Sequence, residues 1–140
     1  MLRNLTAALL AAACCLLAAG CGGKEQAPGV EQLLGRLNPF TEELVRKVES
    51  AQNPSEGVSE AQKHLDAGKA ALAEKIARLK RSPEFQRDAE ARRKLLEAEV
   101  EGTTRVSGLR TKYMDAAMSD PAFKAKLDRL VSDYQELFKD

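Results

Sequence analysis

Apolar residues recur every three or four positions from Val30 to Phe138, and no stretch of the chain alternates apolar with polar. Val30, Leu33, Leu34 and Leu37 follow the i, i+3, i+4, i+7 spacing of one helical face, interrupted by Gly35. Phe40, Leu44, Val45 and Val48 make a second short stripe over residues 39–51. Over residues 55–81, Val58, Leu65, Leu72 and Leu79 stand at seven-residue spacing, with Ala61, Gly68 and Ile76 in the same stripe. Small residues in such a seam allow close approach of a neighbouring helix. Residues 83–118 carry Phe85, Ala89, Leu96, Val100, Val106, Leu109, Tyr113 and Ala117. Residues 121–139 carry Phe123, Leu127, Leu130, Val131, Tyr134, Leu137 and Phe138. With a single Ile and few Thr, strand propensity is low. The pattern predicts an all-α chain.

Four polar–proline pairs divide this pattern: Asn38-Pro39, Asn53-Pro54, Ser82-Pro83 and Asp120-Pro121. A short polar side chain caps the orphan amides of a helix, and proline at the first helical position sacrifices no hydrogen bond. Four helices are therefore expected, over residues 39–51, 55–81, 83–118 and 121–139, with Phe85 and Phe123 as first-turn anchors. Val30–Leu37 forms a separate amphipathic stretch that either docks on the body or lies on a lipid surface. Gly102 and Gly108, each weaker than Ala by about 1 kcal/mol in a helix, mark the place for a bend or break.

At 1.5 Å per residue the second and third helices would be about 40 and 54 Å long, against about 20 and 30 Å for the first and last. Short connections then gather both short helices at one end, near the tether, and hold the opposite tip away from the membrane. The expected architecture is a small helical bundle with a long projecting antiparallel helical hairpin, turning at Arg81-Ser82-Pro83. Its tip concentrates Lys75, Arg78, Lys80, Arg81, Arg87, Arg92, Arg93 and Lys94 against Glu84, Asp88 and Glu90, a surplus of five positive charges.

Ahead of this body the composition changes. Arg3 precedes an apolar run from Leu5 to Ala19, too short for a spanning helix, and the run ends at Leu16-Leu17-Ala18-Ala19-Gly20-Cys21. Small residues before a cysteine at the end of such a run resemble the lipobox of bacterial lipoproteins, with Ala18 where that class usually carries Leu. The resemblance implies cleavage before Cys21, lipidation of Cys21, and no cofactor beyond that covalent lipid. It places the protein in the bacterial cell envelope, and Gly22 in place of Asp points to the outer membrane, facing the periplasm. Residues 1–20 are then a signal peptide, residues 21–29 a lipidated cysteine with a flexible tether, and residues 30–140 the helical domain. Gly22 to Gly29 holds no large apolar residue and reaches at most about 28 Å.

Charge and cysteine content narrow the function. Of the 22 Lys and Arg only Arg3 precedes Cys21, so the mature chain carries 21 basic and 21 acidic residues. A neutral chain is not a whole-surface nucleic-acid binder, and specific nucleic-acid binding is not expected. All three cysteines lie at or before Cys21, which leaves the body without a disulfide, a thiolate metal site or a cysteine nucleophile. His64, the single histidine, is two residues from Asp66, so the pair points to different helix faces, and a solvent-exposed imidazole is expected. Glu42, Glu43, Glu97, Glu99 and Glu101 read as solvated faces, and Tyr113, Met114 and Met118 as core. No strand-to-helix glycine loop is present to cradle phosphate. The expectation is a non-catalytic, membrane-anchored helical module that binds or scaffolds an envelope protein. The alternative is an anionic envelope polymer bound at the basic hairpin tip.

Overall fold

The computed structural model describes residues 29–139. The signal-like segment, Cys21 and residues 22–28 of the tether lie outside the described residues. The described chain is all-α: α1 (Val30–Glu49), α2 (Pro54–Arg81), α3 (Pro83–Arg87), α4 (Ala89–Lys112), α5 (Met114–Ser119) and α6 (Pro121–Gln135), closed by a 3-10 turn at Glu136–Phe138.

Three of the four polar–proline pairs start helices. The Asn53 side chain accepts from the Ser55 amide at 2.9 Å, and Ser82 accepts from the Phe85 amide at 3.2 Å. Asp120 accepts from the amides of Ala122 and Phe123 at 2.9 and 3.1 Å. Asn38-Pro39 does not start one: α1 runs through it. Leu33, Leu37, Thr41, Leu44 and Val48 form a single buried stripe along α1. Burying four such apolar side chains at about 1.5–3 kcal/mol each outweighs the roughly 3 kcal/mol that an interior proline costs. The Val30–Leu37 stretch is thus the first half of the first helix, docked on the body.

The expected third helix is divided, though not at its glycines. Asp88 takes extended backbone (φ −92°, ψ 99°) and its carboxylate accepts from the Ala91 amide at 3.0 Å, which caps a new helix. Tyr113 separates α4 from α5, whereas Gly102 and Gly108 lie inside an unbroken α4. The interruption at Asp88 resets the helical phase. Leu96 and Val100, expected in the core, are therefore 59% and 56% exposed, while Ala91, Leu95, Val106 and Leu109 are buried.

Four helices, α1, α2, α4 and α6, make the bundle. α1 packs on α2 and α4, and α6 packs on the same two. Glu31 pairs with Lys94 and Glu49 with Lys112, each 63 residues apart, so α1 and α4 run parallel and in register. Lys126 donates to the Ser55 hydroxyl at 3.0 Å and Gln62 to Asp133 at 2.8 Å, each 71 residues apart, which makes α2 and α6 parallel as well. α2 and α4 stand antiparallel at opposite corners, bridged at one end by α3.

The long hairpin consequently does not project. α1 is 20 residues long, about 30 Å, and lies alongside α2 and α4 instead of gathering at their far end. Among the described residues, the core between the four helices is apolar except for Thr41, and Tyr134 is its largest fully buried side chain.

Candidate anionic-partner surface

The end of the bundle that holds the basic cluster is built from five segments. Gln86 of α3 donates to the Lys80 carbonyl at 3.4 Å, and Arg92 donates to the Gln86 carbonyl at 2.7 Å. These two bonds tie the last turn of α2 to α3 and to the first turn of α4. Phe85 anchors α3 from below, buried under its own single turn. Lys80 donates to the Phe138 carbonyl at 2.7 Å, which brings the C-terminal turn to the same end. The Lys94–Glu31 ion pair brings the first turn of α1 there too.

The eight expected residues are not equivalent. Arg78 pairs with Glu74 at 2.6 Å, and Arg93 grips both Glu90 and Glu97. The Arg93 guanidinium holds the Glu90 carboxyl below its ordinary range, and Glu31 raises the Lys94 ammonium. Once Glu31, Glu74 and Glu97 are included, the surplus of five positive charges falls to two. The i, i+4 partners Glu74 and Glu97 were readable from spacing alone. Glu31 was not, because it depends on α1 reaching this end. Lys75 sits lower, lining a groove of about 330 Å³ between α1 and α2 with Phe40, Gly68 and Leu72. Among the described residues, Arg81, Arg87 and Arg92 make no ion pair, and all three are exposed. They end α2, end α3 and open α4, so the remaining charge surrounds α3.

Gly29, the residue from which the tether departs, precedes the first turn of α1 and accepts from the Leu33 amide at 3.1 Å. The basic end and the tether exit are therefore the same end of the molecule. The sequence-based expectation of a basic tip remote from the tether is overturned by the continuation of α1 through Pro39.

The other residues singled out in the sequence take structural places. His64 is half-buried, not solvent-exposed: its ring stacks on Phe40 at 4.5 Å, and its Nε2 is buried without a partner among the described residues. Tyr113 packs edge-on against Phe123 at 6.1 Å, but Met114 and Met118 are exposed, because α5 leans on α6 without burying a residue. Among the described residues no group of three His, Cys, Asp or Glu is placed to hold a metal. No described helix is long and apolar enough to cross a membrane. No family model, curated relative or solved structure matches the chain.

Proposed function

We propose that the protein is a lipid-anchored, non-catalytic module of the bacterial cell envelope, attached through Cys21 and working by binding or scaffolding an envelope partner. The lipobox-like Leu16–Cys21 segment supports the anchor. The observation that carries the binding role is how the described charges and core are used. Long charged side chains are spent on exposed ion pairs that fix helix register, such as Glu49–Lys112 at 2.7 Å and Arg110–Asp128 at 2.8 Å. The described core is apolar apart from Thr41, and recognition then falls to the surface. That surface includes the exposed apolar side chains Leu96, Val100, Met114 and Met118.

Replacing Cys21 with Ser is expected to shift the protein from the membrane to the soluble or unprocessed fraction and to abolish labelling by a fatty-acid analogue. Label retained in the Cys21→Ser variant would overturn the anchor. Cross-linking of the lipidated protein in its own membranes is expected to capture a protein partner, and Leu96→Glu with Val100→Glu to reduce that capture.

A further inference from the structure

We propose that the basic end of the bundle docks on anionic phospholipid headgroups beside the lipid anchor, so that the bundle stands on the membrane with Arg81, Arg87 and Arg92 facing it. The inference rests on anchoring at Cys21 and adds an orientation and a second ligand to it.

Three observations carry it. Arg81, Arg87 and Arg92 belong to three different elements, yet the Lys80–Gln86–Arg92 hydrogen bonds hold those elements together at one end. Among the described residues none of the three has a carboxylate partner, whereas Arg93 and Lys94 beside them are matched. The guanidinium forks of Arg81 and Arg87, and the N–H groups of Arg92 not given to the Gln86 carbonyl, are thus available to phosphate oxygens. Finally, Gly29 leaves the bundle at this same end.

Tether length then decides which surface can meet the membrane. Residues 22–29 reach at most about 28 Å, while α2 alone, with 28 residues, is about 42 Å long. The end carrying Gln52 and Met118 is out of reach of the surface when the bundle stands upright on its tether. Attraction to an anionic leaflet fades within a Debye length, about 8 Å at physiological ionic strength, so charges at the far end of an upright bundle do not feel it. The attraction need not hold the protein there, because acyl chains do that. It only has to bias the orientation of a body already confined to the surface, where effective concentrations are high.

Cys21 is the last cysteine in the chain and is consumed by lipid, so a single reporter thiol can be placed at will. Ala89→Cys puts one at the basic end and Gln52→Cys at the opposite end, both at exposed positions. The lipidated protein carrying a fluorophore at either site is bound to vesicles of phosphatidylcholine alone, or with one third phosphatidylglycerol, each doped with a headgroup quencher. On anionic vesicles in dilute salt, quenching is expected at position 89 and not at 52. It is expected to fall at least about tenfold in 0.5 M NaCl, on neutral vesicles, and in the Arg81→Glu/Arg87→Glu/Arg92→Glu variant, all of which still float with the vesicles. Circular dichroism checks that the triple variant keeps its helicity, and the salt series on the unaltered arginines gives the same test without it. Quenching at 89 that is absent on anionic vesicles, or equal on neutral ones, overturns the docking while leaving the anchor intact. Failure of the lipidated protein to float overturns the anchor and the docking together.

Discussion

The hydroxyl of Tyr134 lies 2.6 Å from that of Thr41, joining α6 to α1 across the centre of the bundle. Thr41 donates its one hydroxyl hydrogen to the Leu37 carbonyl at 2.9 Å, so Tyr134 is the donor in the pair. Among the described residues these two hydroxyls sit in an otherwise apolar core. Thr41→Val leaves a buried phenol without an acceptor and is expected to cost about 1–3 kcal/mol, whereas Tyr134→Phe alone is expected to cost about 1 kcal/mol. Adding Tyr134→Phe to Thr41→Val is expected to recover stability, because both partners are then apolar. Denaturant titration of the four proteins reads the coupling, and strict additivity would mean that the two hydroxyls do not interact.

The same tyrosine sets the sign of two glycine substitutions in one helix. A β-carbon on Gly102 would collide with the Tyr134 hydroxyl, while one on Gly108 would meet nothing within 4 Å. Gly108→Ala is expected to stabilise by up to about 1 kcal/mol through helix propensity. Gly102→Ala is expected to destabilise by about 1–3 kcal/mol, since Thr41 holds the phenol in place. Tyr134→Phe removes the colliding atom and should relieve most of that loss. A stabilising Gly102→Ala in the parent would show that the helices are free to separate there.

Pro39 and Asp88 are expected to respond in opposite directions to alanine. Pro39 lies inside α1, cannot donate to the Gly35 carbonyl, and is exposed. Pro39→Ala should therefore raise stability by about 1–3 kcal/mol. Asp88→Ala removes the acceptor for the Ala91 amide and should lower it by about 0.5–2 kcal/mol. Thermal melts followed by circular dichroism distinguish the two.

These two positions also show where sequence patterning stopped. The heptad seam Val58, Leu65, Leu72, Leu79 is buried throughout, and three of the polar–proline caps are in place. Periodicity and capping agree at those sites. At Asn38-Pro39 they conflict, and the continuous stripe Leu33–Val48 prevails. Asp88 carries a cap with no proline behind it, set among Glu and Arg, so nothing local distinguishes it from a helix interior. The Asp88 break decides the phase of α4 and the exposure of Leu96, while the continuation of α1 through Pro39 decides its standing beside the basic end. The eight cations were legible as a cluster. The pairing of Lys94 with Glu31, and the position of the cluster beside the tether, depended on contact across 63 residues.

The phase of α4 is testable by truncation. Leu127 is 1% exposed, and Leu127→Ala is expected to cost about 2–5 kcal/mol, with Leu72→Ala, at 6%, toward the lower end of that range. Leu96→Ser, on the outward face, should stay within about 0.5 kcal/mol. A loss at Leu96 comparable to that at Leu127 would restore the undivided stripe expected over residues 83–118.

Stability should fall on both the acid and the alkaline side, for opposite reasons. The Arg46 guanidinium, hydrogen-bonded at 2.7 Å, pulls the Glu43 carboxyl down to about 2, and Lys63, Arg93 and Lys124 lower Glu60, Glu90 and Asp128 in the same way. A carboxyl depressed in the folded state contributes stability above its ordinary value of about 4. That contribution disappears as pH falls through the folded value, so loss begins near pH 4 and for Glu43 continues to about 2. On the other side, burial pushes the Tyr134 phenol up, and hydrogen bonds to Glu31 and Glu49 raise Lys94 and Lys112. Groups raised in the folded state contribute fully below their ordinary values of about 10, and the contribution is lost as pH rises beyond them. The exposed ion pairs are screened by salt and the buried phenol is not. In 0.5 M NaCl the acid-side loss should therefore shrink more than the alkaline loss. Melting temperatures across pH 2–11 for the parent and Tyr134→Phe measure this: the variant should lose part of the alkaline decline and the late tyrosinate absorbance while keeping the acid limb. An unchanged alkaline limb in Tyr134→Phe would assign that decline to the lysine pairs alone.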